Sequence, residues 1–167
     1  MLSSVEHFYD NAERYVKLFN YFVKKHSLGG IAKADHICYK CSSSESFESI
    51  REIFESESKF IYQSIISGRR IAIIGLFEDI DSSLGKISYL ELSDQKVDGS
   101  QKEGFDHIEA YPIKGTYKEM IDKLKSEKIK EVVRPHHTTH DIDIGDGFLF
   151  RCTTEPLLEK IKREELI

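Results

Sequence analysis

ADHICYK at residues 34–40 is the stretch that decides the fold, and it returns as FDHIEAY at residues 105–111. Both copies contain Asp-His-Ile inside a run whose apolar side chains alternate as they do in a β-strand. Each copy is followed by a helix-like segment and then by further strand-like segments. A repeat with the same downstream pattern indicates a duplication, so we predict that two similar modules build this protein.

Composition sets limits on the class of protein and on its partners. A chain of 167 residues suits one domain or two small modules around one core, and 40% hydrophobic with 32% charged residues indicates a globular protein. The net charge of −5 argues against nucleic acid or an anionic membrane as partner. The first residues, MLSSVE, lack the basic and then apolar pattern of a signal peptide. We therefore predict a cytoplasmic protein.

The pattern of segments predicts an α+β fold. We expect two βαβββ modules that share one curved, mixed or antiparallel half-barrel sheet, with an added helix at each end. Together they form one compact domain. The predicted boundaries are an N-terminal helical extension at 1–30, a first module at 31–92, a linker at 93–104, a second module at 105–153 and a C-terminal helix at 154–167.

Local motifs predict where the helices begin and end. The pattern Ser/Thr-x-x-Glu occurs at Ser3, Ser42 and Thr116, and it is typical of a helix start. Behind the first of these, apolar and aromatic residues recur at three- and four-residue steps, which predicts a helix whose aromatic stripe packs into the core. We expect the pair of glycines at 29–30 to end that helix. Residues 79–85 are polar and are predicted to form a loop.

Strand alternation predicts a candidate metal site. Ile37 and Ile108 belong under the helix of their modules, so His36 and His107 face the other way. A neighbouring strand reads LEL around Glu91, with its leucines toward the helix. If the sheet curls into a half-barrel, the two histidines and this glutamate converge. Such a set is typical of a divalent metal with open positions. The alternative is three buried polar side chains that satisfy one another.

The repeat and its ligand pattern resemble a known superfamily. Duplicated βαβββ modules with a ligand on their first and last strands resemble the vicinal oxygen chelate proteins, which include glyoxalases, extradiol dioxygenases and epimerases. From its first helix to its last, the chain more closely resembles the YecM family of metal-binding proteins. The motifs that carry the resemblance are ADHI at 34–37, SGR at 67–69, LEL at 90–92, DHIE at 106–109 and PLLEKI at 156–161. The resemblance implies a divalent metal, Zn, Fe, Mn or Ni, and a small substrate that chelates it.

One departure from the superfamily concerns a fourth ligand. That ligand is commonly a glutamate on the last strand of the second module, and here the strand reads FLFRCT at 148–153. The site then has three protein ligands, or it is completed by Cys152 or Glu155, or it is degenerate. Cys38 and Cys41 form a C-x-x-C, but residues three apart on a strand face opposite sides, so we do not expect them to chelate one metal.

Charged residues near the predicted site are candidates for binding substrate. Lys40 lies on the same face as His36, roughly 13 Å along the strand. Arg69 and Arg151 also suit carboxylate groups, because a guanidinium can donate two parallel hydrogen bonds. For each cation the alternative is an ordinary surface charge. Glu109 lies two positions after the second histidine, on the same face, and is our candidate general base.

A histidine-rich segment, RPHHTTHD at 134–141, is the other dense cluster of candidate ligands. Neighbours on a strand point to opposite faces, so we interpret it as an exposed loop from which at most one or two side chains line a cavity.

Three hypotheses about function remain open. The first is an enzyme that acts on a small oxygen-chelating anionic metabolite by isomerase, lyase or oxygenase chemistry, with the metal at His36, Glu91 and His107. The second is a non-catalytic module that binds a small anion and has a degenerate metal site. The third is an interaction protein whose added helix contacts a partner or a second copy in a homodimer.

Overall fold

One sheet of eight strands organises the computed structural model, which describes residues 1–135 and 137–165. Residues 32–93 run strand, helix and three strands, and residues 104–152 repeat that order. The helices are α1 (Val5–Lys25), α2 (Ser44–Glu55), α3 (Tyr117–Asp122) and α4 (Leu157–Glu165). The strands are β1 (Ala32–Lys40), β2 (Ser58–Ile66), β3 (Arg69–Ser82), β4 (Gly85–Ser93), β5 (Gly104–Pro112), β6 (Lys130–Val133), β7 (Thr138–Gly145) and β8 (Phe148–Cys152).

The strand order is β2-β3-β4-β1-β5-β8-β7-β6. The central strands β1 and β5 are antiparallel to each other. Each of them runs parallel to the last strand of its own half, β1 to β4 and β5 to β8. The order on one side of the centre is therefore repeated in reverse on the other. The predicted α+β class and the predicted mixed sheet are confirmed.

The sheet bends around a cavity. Arg69 and Ile71 of β3 line it together with Arg134 and His137, which flank the turn between β6 and β7. In a flat sheet β3 and β7 would lie about five strand spacings apart, or roughly 24 Å. Outer strands can line one cavity only if the sheet curves, which is consistent with the predicted half-barrel.

Three helices cover the face of the sheet that faces away from the cavity. On α1, Phe19 and Phe22 pack against Phe150 of β8, with ring centroids 5.2 and 4.8 Å apart. The aromatic stripe of α1 is therefore core, as predicted. On the other face a smaller apolar group joins α4, through Ile161, to Ile71 and Ile73 of β3.

Two of the three predicted helix starts are wrong by one residue. Ser4, not Ser3, caps α1 by accepting a hydrogen bond from the backbone N–H of His7, and Ser43, not Ser42, caps α2. Both segments contain consecutive serines, and the second serine of each is the cap although His7 or Ser46, not a glutamate, stands three residues after it. The prediction at Thr116 is confirmed, with the full reciprocal capping box.

The predicted end of α1 is also wrong. The helix ends at Lys25, before the two glycines, because Ser27 adopts a left-handed conformation with φ of 53°. The N–H of Leu28 then donates to the carbonyl of Val23 and closes the terminus.

The predicted loop at 79–85 is mostly strand. β3 continues to Ser82 and pairs with β4 through Ile80–Ile87 and Asp81–Lys86. Its side chains are largely polar there, and a polar hairpin end resembles a loop in sequence. β6 ends at Val133, and a turn separates it from β7, which begins at Thr138. Within the residues that the structure describes, no helix is long and apolar enough to cross a membrane.

Candidate metal centre

A β-bulge in β1 brings Asp35 beside His36. Ala34 and His36 are paired with consecutive residues of β5, Ala110 and Glu109, so Asp35 is the extra residue. Ala34 and Ile37 pack in the main hydrophobic core, which lies between the sheet and helices α1, α2 and α3. A bulge re-aims the side chains around it, and this one allows two neighbours, Asp35 and His36, to meet on the cavity side of the sheet.

A second bulge does the same in β5. His107 pairs with Cys38 and Phe105 pairs with Tyr39, which leaves Asp106 as the extra residue. Phe105 packs against the main core, while the aspartate reaches the histidine. Both copies of Asp-His-Ile therefore have the same irregular backbone, with the aspartate at the bulge.

Each aspartate fixes the orientation of its histidine. The Nδ1 atoms of His36 and His107 lie 2.6 and 2.7 Å from an Oδ2 atom of Asp35 and Asp106. An ionised carboxylate can only accept, so Nδ1 of each ring carries a proton and Nε2 is the nitrogen left to bind a metal ion. This is the arrangement of metal-binding histidines, whose second nitrogen commonly donates to a carboxylate.

Four potential ligand atoms meet beyond these rings. Nε2 of His36 lies 2.9 Å from Oε2 of Glu91 and 3.5 Å from Oε2 of Glu109, which is 3.6 Å from Nε2 of His107. All four atoms lie within 4.8 Å of one another. Ligands about 2.0–2.1 Å from a tetrahedral ion are about 3.4 Å apart. The predicted trio and the predicted base therefore form one buried cluster that can hold a metal ion.

The Nε2 atom of His36 provides a test of this fit. His36 is only 1% exposed, and among the described residues this nitrogen has no partner with good hydrogen-bond geometry. Glu91 is close enough for a hydrogen bond, but its oxygen lies off the direction in which the ring nitrogen points. A buried polar atom without a partner is costly, and a metal ion between the two histidines and the carboxylates would satisfy it. The donor set fits a divalent metal.

Electrostatics also favour a cation at this point. Burial lowers the pKa of His36, but the surrounding carboxylates, Glu109 foremost, raise it well above its usual value. Burial raises the pKa of Glu109, but His36, then His107, and Arg151 lower it to about 2. The carboxylates therefore stay ionised and draw a proton onto the centre when no metal is bound. A divalent ion would take the place of that proton.

A cavity of about 610 Å³ opens beside the cluster, and Glu91 and Glu109 form part of its wall. That volume is typical of a small-molecule site. The three predicted substrate-binding residues, Lys40, Arg69 and Arg151, also line it.

Each of these cations has a defined partner. Lys40 pairs with Asp106 at 3.1 Å, and Arg151 makes two hydrogen bonds to Asp141, of 2.8 and 3.0 Å. Arg69 donates to the side chain of Gln101 and to a backbone carbonyl. All three are held in place on the cavity wall, so none is an unconstrained surface charge.

Neither residue suggested as a fourth ligand reaches the cluster. Cys152 is buried in the main core on the other face of the sheet, and Glu155 pairs with Arg163. The carboxylate near the cluster is Glu109 instead. Cys38 and Cys41 face opposite sides, as predicted: the first thiol contacts Glu91, and the second lies in the main core.

The histidines of the histidine-rich segment do not share one location. His136 lies outside the described residues. His137 lines the cavity, so at least one side chain of the segment is not exposed. The Nδ1 atom of His140 is 2.7 Å from the hydroxyl of Tyr117, away from the cavity.

Sequence reasoning missed the roles of Asp35, Asp106 and Asp141. The first two carry a signal, since an aspartate precedes the histidine in both copies of the repeat. Regular strand geometry places such neighbours on opposite faces, and only the bulges change that. Asp141 has no comparable signal, because its pairing with Arg151 depends on the register between β7 and β8.

Comparisons with known proteins agree with this fold. The solved structure called "Structural Genomics, Protein EC4020" superposes with a TM-score of 0.70 at 19% identity, covering 96% of this chain and 92% of that one. At such an identity the likeness shows the fold alone. A mutant of 4-hydroxymandelate synthase from Streptomyces coelicolor matches with a TM-score of only 0.33 at 11% identity, covering 81% of this chain and 56% of that one. A TM-score at that level carries no argument.

No curated protein matches the chain. The family model described as YecM protein matches residues 5–145. That match spans most of the sequence and includes the four residues of the cluster. The chain therefore belongs to the YecM protein family.

Proposed function

We propose that this protein binds a divalent metal ion through His36, Glu91 and His107, and that a small anionic metabolite chelates the metal through two adjacent oxygens. In this proposal the half-barrel is of the vicinal oxygen chelate type. The observation that carries it is the convergence of ligand atoms from His36, Glu91, His107 and Glu109 within 4.8 Å of one another, around a histidine nitrogen that is 1% exposed and faces two carboxylates.

The metal, when bound, would supply positive charge that polarises the chelated oxygens and acidifies a neighbouring C–H bond. The residues of the chain would hold the metabolite and move a proton. Asp35 and Asp106 keep both histidine lone pairs directed at one point. Lys40, Arg69 and Arg151 would orient the anionic group and offset its charge.

Glu109 is the proposed general base. His36, His107 and Arg151 lower the pKa of this carboxyl, so at neutral pH it is ionised, which is the form that accepts a proton. It lines the cavity, so it can reach a bound metabolite. Isomerase or lyase chemistry would begin with such a proton abstraction, and oxygenase chemistry is the remaining option if the metal is iron.

A non-catalytic function is favoured by a different observation about the same residue. Oε2 of Glu109 is 3.5 and 3.6 Å from the two histidine Nε2 atoms, which also suits a fourth ligand. Four protein ligands close a tetrahedral set, as they do in structural metal sites. In that case the cavity would bind an anion without turnover.

The test is metal analysis of protein purified without a histidine tag. We expect about one metal ion per chain, after purification or after incubation with Zn, Fe, Mn or Ni salts followed by desalting. The variants His36→Ala and His107→Ala should each lose it.

His7→Ala is a matched control, because His7 lies on α1 and outside the cluster. It should bind as much metal as the parent. A parent that binds none of the four metals, or a His36→Ala variant that keeps its metal, would contradict the proposal.

A further inference from the structure

Two further cations on the cavity wall lack a carboxylate partner among the residues that the structure describes. Lys160 on α4 is only 5% exposed, and its ammonium contacts a single hydroxyl, that of Thr153, at 3.3 Å. Arg134 donates a hydrogen bond of 2.6 Å to the hydroxyl of Thr139. These hydroxyls accept one hydrogen bond from each group, but they carry no negative charge that would neutralise it.

His137 adds an unsatisfied polar atom to the same wall. Its Nδ1 is buried and finds no hydrogen-bond partner within 1–135 and 137–165. The N–H of Arg134 donates to the carbonyl of His137 at 2.9 Å, which closes the turn between β6 and β7 and holds the two residues side by side. Both residues line the cavity together with Lys160.

The charge of the cavity wall differs in sign from that of the whole protein. The net charge of the chain is −5. Of the residues that the structure describes, however, six lysines and arginines line the cavity: Lys40, Arg69, Lys96, Arg134, Arg151 and Lys160. Its carboxylates are Glu91, Asp98, Glu109 and Glu164, and the first and third of these belong to the metal centre. Positive charge therefore predominates on the wall outside the metal centre.

Burying an ammonium group without a counter-charge is costly. Burial and then repulsion from Arg151 lower the pKa of Arg134 by more than the carboxylates of the nearby site raise it. A bound anion would supply the missing counter-charge and so reduce this cost. The partners are also suited to an anion, since a guanidinium forms directed hydrogen bonds to oxyanions and an ammonium acts as a point charge.

We propose that Arg134, His137 and Lys160 form an anion subsite that binds a second anionic group of the metabolite, a carboxylate or a phosphate, separate from its chelating oxygens. The inference rests on the proposed function for the position of the chelating end. Arg151 connects the two ends, because its Nη1 is 3.4 Å from Nε2 of His107 and its charge acts on Arg134. The metabolite would thus be a small hydroxy or oxo acid with two anionic groups.

The test uses two pairs of acids that differ only in the second anionic group: 2-hydroxyglutarate with 2-hydroxybutyrate, and 3-phosphoglycerate with glycerate. Calorimetry on the metal-loaded protein should show that at least one doubly anionic acid binds about tenfold or more tightly than its partner. The pair with the larger difference identifies carboxylate or phosphate as the group.

Lys160→Met should remove that advantage and leave the affinity for the singly anionic acid unchanged. Arg134→Met serves as a second variant if Lys160→Met does not fold. Lys96→Met is the matched control, because Lys96 lines the same cavity but is exposed. It should keep the full difference within each pair.

The outcomes separate this subsite from the proposed function. A metal-loaded protein that binds both members of each pair equally well would overturn the subsite and leave the metal centre standing. If the protein holds no metal, the proposed function is wrong, and inorganic phosphate in the presence of chelator becomes the probe. Phosphate binding that Lys160→Met weakens would then support the subsite, and no phosphate binding would overturn it.

Discussion

The two halves of the sheet carry different chemistry at matching positions. In each half, the residue two positions after the histidine pairs with the last strand of that half. The pair is Cys38 with Glu91 in the first half and Glu109 with Arg151 in the second. The carboxylate of the pair is therefore on the last strand in the first half and on the first strand in the second half. In the second half, an arginine occupies the position on the last strand.

Because of this difference, the two sides of the metal centre carry different charges. The first half presents a histidine whose Nε2 faces two carboxylates, those of Glu91 and Glu109. The second half places a guanidinium 3.4 Å from Nε2 of His107. A metal ion would be held by ligands from both halves, while an anionic metabolite would be drawn toward the second half. Symmetry of the backbone is therefore compatible with an asymmetric binding site.

The largest expected effect comes from removing the arginine that distinguishes the second half. Arg151→Met would leave Asp141 buried and without its cation. Losing one member of a buried ion pair typically costs about 3–5 kcal/mol. We expect a loss of that size in the free energy of unfolding, measured in urea.

The double variant Arg151→Met/Asp141→Asn should recover much of this loss, because no charge is then left unpaired. Arg163→Met, at an exposed pair with Glu155, should change stability little. Equal losses at the two arginines would mean that burial of the Asp141 pair is unimportant.

A second prediction compares the two exchanged carboxylates. Glu91→Gln should weaken metal binding by about 100-fold and Glu109→Gln by about tenfold, if the first is a ligand and the second mainly a base. Competition with a chromophoric chelator measures both. Glu48→Gln, at an exposed site on α2, should have no effect. Equal losses would make Glu109 a full ligand and would exclude it as the base.

A third prediction compares the two bulge aspartates. Asp35→Asn and Asp106→Asn should each weaken metal binding by about 10- to 100-fold, the range found for groups that orient ligands. We expect the larger effect at Asp35, because its second partner is the backbone N–H of Leu157 at 3.1 Å, whereas the second partner of Asp106 is a side chain, that of Lys40. Identical effects, measured by the same competition, would show that the helix contact is irrelevant to the metal.

The smallest expected effect concerns the helices of the two halves. α3 has six residues and α2 has twelve, so α3 depends more on its cap. Thr116→Ala should lower the free energy of unfolding by about 1 kcal/mol, and Ser43→Ala by less. Urea denaturation measures both. Thr116→Ser keeps the hydroxyl and should be nearly neutral, and a loss as large as that of the alanine variant would rule out the cap as the cause.

Local periodicity was enough to predict which face the main site residues share. Alternation placed His36, Glu91 and His107 on the side away from the helices, and the structure brings them together there. Each argument used only a few neighbouring residues. The aromatic stripe of α1 was predictable for the same reason.

Features that depend on partner strands were not predictable. The extra residues at Asp35 and Asp106 exist only relative to the opposite strand, so alternation along one strand does not reveal them. The anion subsite combines residues from a turn and from the last helix, which only the complete fold brings together. Helix boundaries were wrong where the capping serine lacks the glutamate of the motif, and a loop was predicted where the end of a hairpin is polar.

The carboxylate of Asp35 belongs to two structures at once. It accepts the Nδ1–H of His36 and the N–H of the first residue of α4, the helix that forms one wall of the cavity. Free-energy coupling between two sites is reciprocal. If metal binding favours the docked position of α4 by a given factor, docking of α4 raises the affinity for the metal by the same factor. α4 would then be held more firmly against the cavity when the metal is bound than when it is absent. The residence time of a molecule in the cavity would therefore depend on the metal.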